Sequence, residues 1–290
     1  MLATLTEILG AAAAGGYAVI APDFISINSL KLQISIAEDF GAPVIASYPH
    51  LPLSRFYLTK RRVRKMRELC SEASVPVCLH LDHGKSLRMC RQAARNGFTG
   101  IMYDGSALDF AANASLTSEA VSDAAVFAVP LEAEIGHVGA ASAGIEGGAA
   151  DRGILTDPDQ AKLFAEITGA AALAVSIGTA HGSYSGEPVL DFGRLETIES
   201  MTGVPLVLHG GSGTGMENLK KAVLLGIRKI NLFTVWFKPW LRFRAGLIFK
   251  RPALLLNRER LRSEELELIR SALAGYYEIS GSAGKAEDVD

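Results

Sequence analysis

Eight times between residues 17 and 234, an apolar run of strand length is followed by a segment with helix signals. The runs are YAVIAPDF (17–24), PVIASY (43–48), VPVCLHLDHG (75–84), TGIMYDGS (99–106), VFAVPLEAEIG (126–136), ALAVSIGTAHG (172–182), VPLVLHGGSG (204–213) and IRKINLFT (227–234). Continuous apolar strands alternating with helices predict a parallel sheet covered on both faces. Eight such units in about 250 residues match a (β/α)8 TIM barrel of the α/β class better than an open doubly wound sheet. No G-x-G-x-x-G follows the first run, which also counts against a dinucleotide-binding fold.

Helices are predicted near 3–14, 29–40, 58–73, 86–97, 114–124, 157–169 and 191–202, with one more ending near Gly226. Ser86 reads as an N-cap, Gly97 as a C-terminal stop, and Asp157-Pro158 as a helix start. The expectation is a single domain over 1–290, with the barrel over about 15–250 and a C-terminal helical extension over about 251–290. The basic aromatic segment that begins at Trp236 is expected to pack on the barrel or on a partner subunit.

At 49% apolar and 21% charged, the composition is that of a globular enzyme and far from a disordered chain. A net charge of −2 gives no reason to expect a nucleic-acid surface or an electrostatic membrane anchor. The three cysteines form no C-x-x-C, which points to reduced thiols and a cytoplasmic protein. The N-terminus lacks a basic n-region and carries Glu7 within its first helix, so it reads as a helix, and no membrane span is expected.

Three of the runs close on a histidine followed by glycine: His83, His181 and His209. Side chains at the C-terminal strand ends of such a barrel converge on the active-site mouth. Three neutral imidazoles meeting there would hold a divalent metal with positions left open, and zinc so held polarises a carbonyl or generates hydroxide. Asp82, beside His83, is a candidate orienting group or general acid, or else a carboxylate capping local N–H groups. Cys78 and His80 lie deeper in their strand and read as core. GGSGTG (210–215) runs into a helix, so backbone N–H groups there can face an oxyanion. Asn231 and Thr234 close the eighth run, where this barrel often binds phosphate, though both residues also suit helix capping.

With these residues, the chain resembles the class II, zinc-dependent ketose-bisphosphate aldolases, in particular the fructose- and tagatose-bisphosphate branches. GGYAV (15–19), APVI (42–45), HLDHG (80–84), DGS (104–106), EAEIG (132–136), LTDP (155–158), SIGTAHGSY (176–184), LVLHGGSG (206–213), KINLFT (229–234) and GSAGKA (281–286) occur in the family's order. The resemblance implies zinc on His83, His181 and His209, and Asp82 protonating the aldehyde oxygen. It also implies Gly182, Gly210, Gly211, Ser212, Asn231 and Thr234 around the phosphate of dihydroxyacetone phosphate. Ser47 and Asn28 join the candidate substrate contacts. Asp104 and Glu134 match acidic positions near the metal, where a second monovalent or divalent cation is allowed for; a turn cap and a strand-end salt bridge are their structural alternatives. A phosphorylated ketose or triose is the expected ligand, and a homodimer or homotetramer the expected assembly.

The resemblance breaks at HVGAASAGIEGGAADRG (137–153), where the family has a G-G-x-E-D-like loop whose carboxylate moves the carbon-bound proton. Ala140, Ser142 and Ala143 stand around those positions, leaving Glu146, or Asp151, as the candidate for that role. Two alternatives therefore stay open: a divergent member using the same sites with a non-standard aldehyde, and a non-catalytic phosphosugar-binding protein.

Overall fold

The computed structural model describes residues 1–49, 58–140, 153–184 and 186–289, with the side chains of 248 and 249 outside it. Eight parallel strands make one sheet: β1 (Val19–Pro22), β2 (Val44–Pro49), β3 (Val77–Gly84), β4 (Gly100–Tyr103), β5 (Leu131–Ile135), β7 (Ala172–Val175), β9 (Leu206–Leu208) and β10 (Ile227–Leu232). Their order is β1-β10-β9-β7-β5-β4-β3-β2. Between the two ends of that order, the Phe24 N–H donates to the Ser47 carbonyl at 2.8 Å and draws the sheet nearly closed. The fold is the expected TIM barrel. β6 (Gly139–Ala140) and β8 (Ala180–His181) form a separate parallel pair.

The described helices are α1 (Leu5–Gly15), α2 (Ile27–Asp39), α3 (Lys60–Glu72), α4 (Leu87–Asn96), α5 (Phe110–Ala125), α6 (Pro158–Thr168), α7 (Phe192–Thr202), α8 (Met216–Leu224), α9 (Thr234–Lys250) and α10 (Arg258–Ser280). Side chains alternate along each strand, and the alternation makes two interiors. Ile20, Val44, Leu79, Leu81, Ile101, Leu173 and Ile230 face the helices. Val19, Ala21, Ile45, Cys78, Met102, Ala172, Ala174 and Val207 face inward, where α1 closes the barrel floor with Leu5, Ile8, Leu9 and Ala12. Burial of each larger α1 side chain stabilises by about 1.5–3 kcal/mol at most. A Thr4–Glu7 capping box starts α1, and Gly16 at φ +67° ends it.

Above this floor the inward positions turn polar: His80 and Asp82 on β3, Glu132 and Glu134 on β5, Lys229 and Asn231 on β10. Apolar packing thus fixes the frame on which the site is built. Cys70, Cys78 and Cys90 are free and buried, and burial pushes each thiol up to about 12.

Several boundaries differ from expectation for local reasons. α5 starts before residue 114 because Asp109 accepts from the Ala112 N–H at 2.9 Å and caps it there. The strand expected over 126–136 is confined to Leu131–Ile135, since the chain is still leaving α5 and turns at Ala128, φ +54°. The strand expected over 172–182 is two pieces, because Gly178 at φ +113° turns the backbone between them. The segment after 251 supplies α10, which buries Ile269, Leu273 and Tyr277 in the main core and stacks Tyr277 on Phe40 at 4.7 Å. In α9, Trp236 is fully buried and Trp240 donates to Glu265 of α10 at 2.9 Å. These aromatic rings therefore pack within the chain itself.

Candidate active site

On β3, alternation points His80 and Asp82 into the barrel and Leu79 and Leu81 outward. Continued regularly, it would turn His83 away from the mouth. Instead the β3–β4 register shifts between Leu81 and Gly84, and His83 takes φ +48°. A left-handed conformation at a non-glycine residue carries roughly 1–3 kcal/mol of strain and persists only where its surroundings hold it. Here His83 Nδ1 is held by Asp104 Oδ2 at 2.7 Å. Gly84 follows because a Cβ there would lie 2.5 Å from the Met102 carbonyl.

The hydrogen bonds fix which nitrogen of each ring is free. The His83 Nδ1–H donates to Asp104, so Nε2 is the nitrogen that faces the other rings and becomes a lone pair once the ring gives up its second proton. The His209 Nε2–H donates to Glu132 Oε1 at 3.0 Å, leaving Nδ1. In the metal-free protein the His83 Nε2–H donates to His209 Nδ1 at 3.0 Å, and Asn231 Nδ2 lies 3.3 Å from the same nitrogen. The His181 ring lies 4.9 Å from that of His83 and 5.8 Å from that of His209, and its Nε2 is buried without a partner among the described residues. One nitrogen from each ring lies within 4.8 Å of the others. Three imidazole nitrogens aimed at one point, two backed by carboxylates, fit zinc.

Beneath them lies a buried ion pair. Lys229 Nζ lies 2.6 Å from Glu132 Oε2 and 3.4 Å from His80 Nε2, with all three side chains fully buried. Asp82 accepts from Asn231 Nδ2 at 2.9 Å and lies 3.9 Å from His83 Nε2. Burial would raise the Asp82 pKa, but His83, His209 and Lys229 hold it below the usual carboxylate range. Burial likewise opposes ionisation of Asp104, yet His83 and Lys85 keep that carboxyl low. Burial and the charge of Asp104 push Glu134 up to about 7.

His83 carries a functional consequence of this field. Burial lowers its pKa, but Asp82, Asp104 and Glu134 outweigh burial and push it up to about 9. Burial, reinforced by the charge on His83, keeps His181 and His209 well below 6.5. In the metal-free protein the His83 proton stabilises the fold below about pH 6.5, a contribution lost as pH rises through about 9. Zinc binding near neutral pH is therefore expected to release about one proton and to tighten about tenfold per pH unit below that value. Calorimetry in buffers of different ionisation enthalpy measures this directly; proton-independent binding would contradict it.

Beside the histidines, a narrow hollow is lined by Asp82, Gly182, Gly210, Ser212, Asn231 and Thr234. It opens onto a cavity of about 510 Å³ lined by Gly182, Ser183, Tyr184, Glu187, Ser212 and Thr234. Gly210 is required where it stands: φ is +70°, and a Cβ would lie 2.5 Å from the Ala180 carbonyl. The Tyr184 hydroxyl accepts from the Ala180 N–H at 2.6 Å and donates to the Gly210 carbonyl at 3.0 Å. One hydroxyl thus ties together the two loops that carry His181 and His209. Tyr184→Phe is expected to keep the fold and weaken zinc about tenfold; chelator competition that finds no change would remove this role.

The candidate residues distribute unevenly. His83, His181, His209, Asp82, Gly182, Gly210, Ser212, Asn231 and Thr234 come together at the mouth. Asp104 and Glu134 group with His83, but both Asp104 oxygens are engaged, Oδ2 by His83 and Lys85 and Oδ1 by Ser106. Glu134 accepts from the Val138 N–H at 3.0 Å. Gly211 packs on β10, where a Cβ would lie 2.6 Å from Ile230. Ser47 is buried on β2, and Asn28 is exposed in the first turn of α2; neither lines the hollow or the cavity. Glu146, Asp151, Ser142 and Ala143 lie outside the described residues. Sequence reasoning assigned no role to Glu132, Lys229 or Tyr184. A signal for the first two existed, since Lys229 shares its strand face with Asn231 and Glu132 shares its face with Glu134.

A barrel of eight parallel strands with a polar cluster at its C-terminal mouth defines an enzyme of the TIM-barrel class. The model of the family described as fructose-bisphosphate aldolase class-II matches residues 3–285, and the chain belongs to that family as an aldolase-type enzyme. Among solved structures it is similar to the YdjI aldolase from Escherichia coli K12, at 31% identity and TM-score 0.84, with 99% of this chain and 100% of that one covered. It is also similar to a proposed fructose-1,6-biphosphate aldolase from Coccidioides immitis, at 28% identity and TM-score 0.87, covering 98% of each chain. The fructose-bisphosphate aldolase of Campylobacter jejuni shares the fold at 21% identity and TM-score 0.79, over 98% of this chain and 97% of that one. No described helix is long and apolar enough to cross a membrane.

Proposed function

We propose that this protein is a zinc-dependent aldolase that makes or breaks the carbon–carbon bond between dihydroxyacetone phosphate and an aldehyde, with a ketose phosphate or bisphosphate as substrate. The observation that carries the reading is the convergence of one nitrogen from each of His83, His181 and His209 within 4.8 Å of one another, beside the buried Asp82 carboxylate. Zinc held by His83, His181 and His209 would supply Lewis-acid polarisation of the ketone and charge to stabilise an enediolate. In cleavage, Asp82 takes the proton from the hydroxyl on the carbon beside the breaking bond. The O–H electrons become the aldehyde C=O, and the pair of the broken C–C bond stays on the ketone fragment. In condensation Asp82 returns that proton to the alkoxide. Asn231 keeps Asp82 Oδ1 engaged, leaving Oδ2 for this transfer.

Gly182, Gly210, Ser212, Asn231 and Thr234 are the proposed phosphate contacts; Gly211, whose N–H donates to the Asn231 carbonyl, and Ser47 and Asn28, which line neither the hollow nor the cavity, are left out of this reading. Glu146 is the proposed carrier of the carbon-bound proton; a second cation at Glu134 and Asp104 would have to displace Lys85 from Asp104 Oδ2. The proposed setting is a cytoplasmic homodimer or homotetramer. A second reading keeps these sites for a non-standard aldehyde. It is favoured by the missing G-G-x-E-D pattern in 137–153 and by Phe233 at the wall of the hollow.

The test is zinc analysis, with deuterium exchange into dihydroxyacetone phosphate and cleavage assays on a panel of ketose phosphates and bisphosphates. Zinc bound with neither exchange nor cleavage sinks the reading. Exchange with no cleavage of hexose bisphosphates selects the second one.

A further inference from the structure

A phosphate ester carries close to two negative charges, and removing it from water without a counter-charge is unfavourable. The cavity beside the histidines offers backbone groups and hydroxyls from Gly182, Ser183, Ser212 and Thr234, but no lysine or arginine among its described lining residues. Among the described residues, the one charged side chain lining its outer part is a carboxylate, Glu187. Nearby lysines are already engaged: Lys85 by Asp104, and Lys229 by Glu132 beneath the rings.

Lys238 is different. It follows Thr234 by one turn of α9, so the two share a helix face. Its Nζ donates to the Ser183 hydroxyl, on the cavity wall just beyond His181. Its side chain is otherwise exposed, with no carboxylate partner among the described residues.

We propose that Lys238 is the cationic contact for the substrate's phosphate ester, its ammonium moving from the Ser183 hydroxyl to a phosphate oxygen seated over Gly182, Ser212 and Thr234. The exchange replaces a bond to a neutral hydroxyl with a charge-assisted one, which is the stronger kind. A phosphorylated ligand is thereby distinguished from its unphosphorylated parent. The inference rests on the aldolase reading for its substrate class and on no step of catalysis.

The test uses the zinc-loaded full-length protein, with glycerol phosphate and dihydroxyacetone as calorimetric probes. Lys238→Met is expected to weaken glycerol phosphate about tenfold, the scale of one partly exposed charge-assisted hydrogen bond. It is also expected to flatten the salt dependence of that binding and to leave dihydroxyacetone unchanged. Lys238→Arg recovers most of the loss, and KM for the phosphorylated ketone rises in step in Lys238→Met. Three results would overturn the proposal: wild-type affinity for glycerol phosphate in Lys238→Met, equal weakening of both probes, or no binding of glycerol phosphate by the wild type. Because the probe needs no turnover, Lys238-dependent binding by a protein that neither exchanges nor cleaves would sink the aldolase reading alone.

Discussion

His209→Ala is expected to lower carbon–carbon bond cleavage by about 10³–10⁴-fold and to reduce bound zinc to a small fraction of wild type. The ring is fully buried, and both its nitrogens are committed, Nε2 to Glu132 and Nδ1 to the point it shares with His83. Removing it takes away one of the three proposed metal donors and one partner of a buried carboxylate. Lewis-acid stabilisation is worth several kcal/mol, and about 1.4 kcal/mol corresponds to each decade of rate. Asp82→Asn is the informative comparison. It should retain zinc and lose about 10²–10⁴-fold in rate through the proton transfer alone. Zinc stoichiometry measured beside kcat/KM separates the two variants. A His209→Ala protein that keeps both metal and rate would remove the three-histidine site.

The barrel was legible because apolar runs must be buried on both faces and helices must cover them, and the residues show that eight times over. The convergence of His83, His181 and His209 was legible only as far as strand ends converge. The geometry that brings His83 inward was not, because strict alternation sends Asp82 in and His83 out. A register shift and a left-handed residue reverse that, and both depend on the neighbouring strand and on Asp104, distant in sequence. The placement of His181 on its own short strand depends likewise on pairing with Gly139–Ala140. Nor does local sequence say which imidazole nitrogen is free, since Glu132 and Asp104 decide it from other strands.

Lys229 shows what a stricter reading of alternation would have found. A lysine on the inward face of the eighth barrel strand, two residues from Asn231, has to be paired inside the barrel, and an inward glutamate on β5 is an obvious partner. The same pairing makes the second large prediction. Lys229→Met is expected to destabilise the fold by about 3–5 kcal/mol near neutral pH, because Glu132 would be left as a buried carboxylate without its cation. Zinc affinity should fall as well, since Glu132 would lose the partner that fixes it as acceptor for the His209 Nε2–H and turns Nδ1 toward the other rings. Adding Glu132→Gln to Lys229→Met removes the stranded charge and should recover much of the stability. The two substitutions are thus expected to be strongly non-additive in a denaturant double-mutant cycle. Zinc affinity should recover less than stability, because an amide oxygen holds the His209 N–H more weakly than a carboxylate. A Lys229→Met protein as stable as wild type would mean that the Lys229–Glu132 contact does not hold the cluster beneath the histidines together, and that the tautomer of His209 has some other cause.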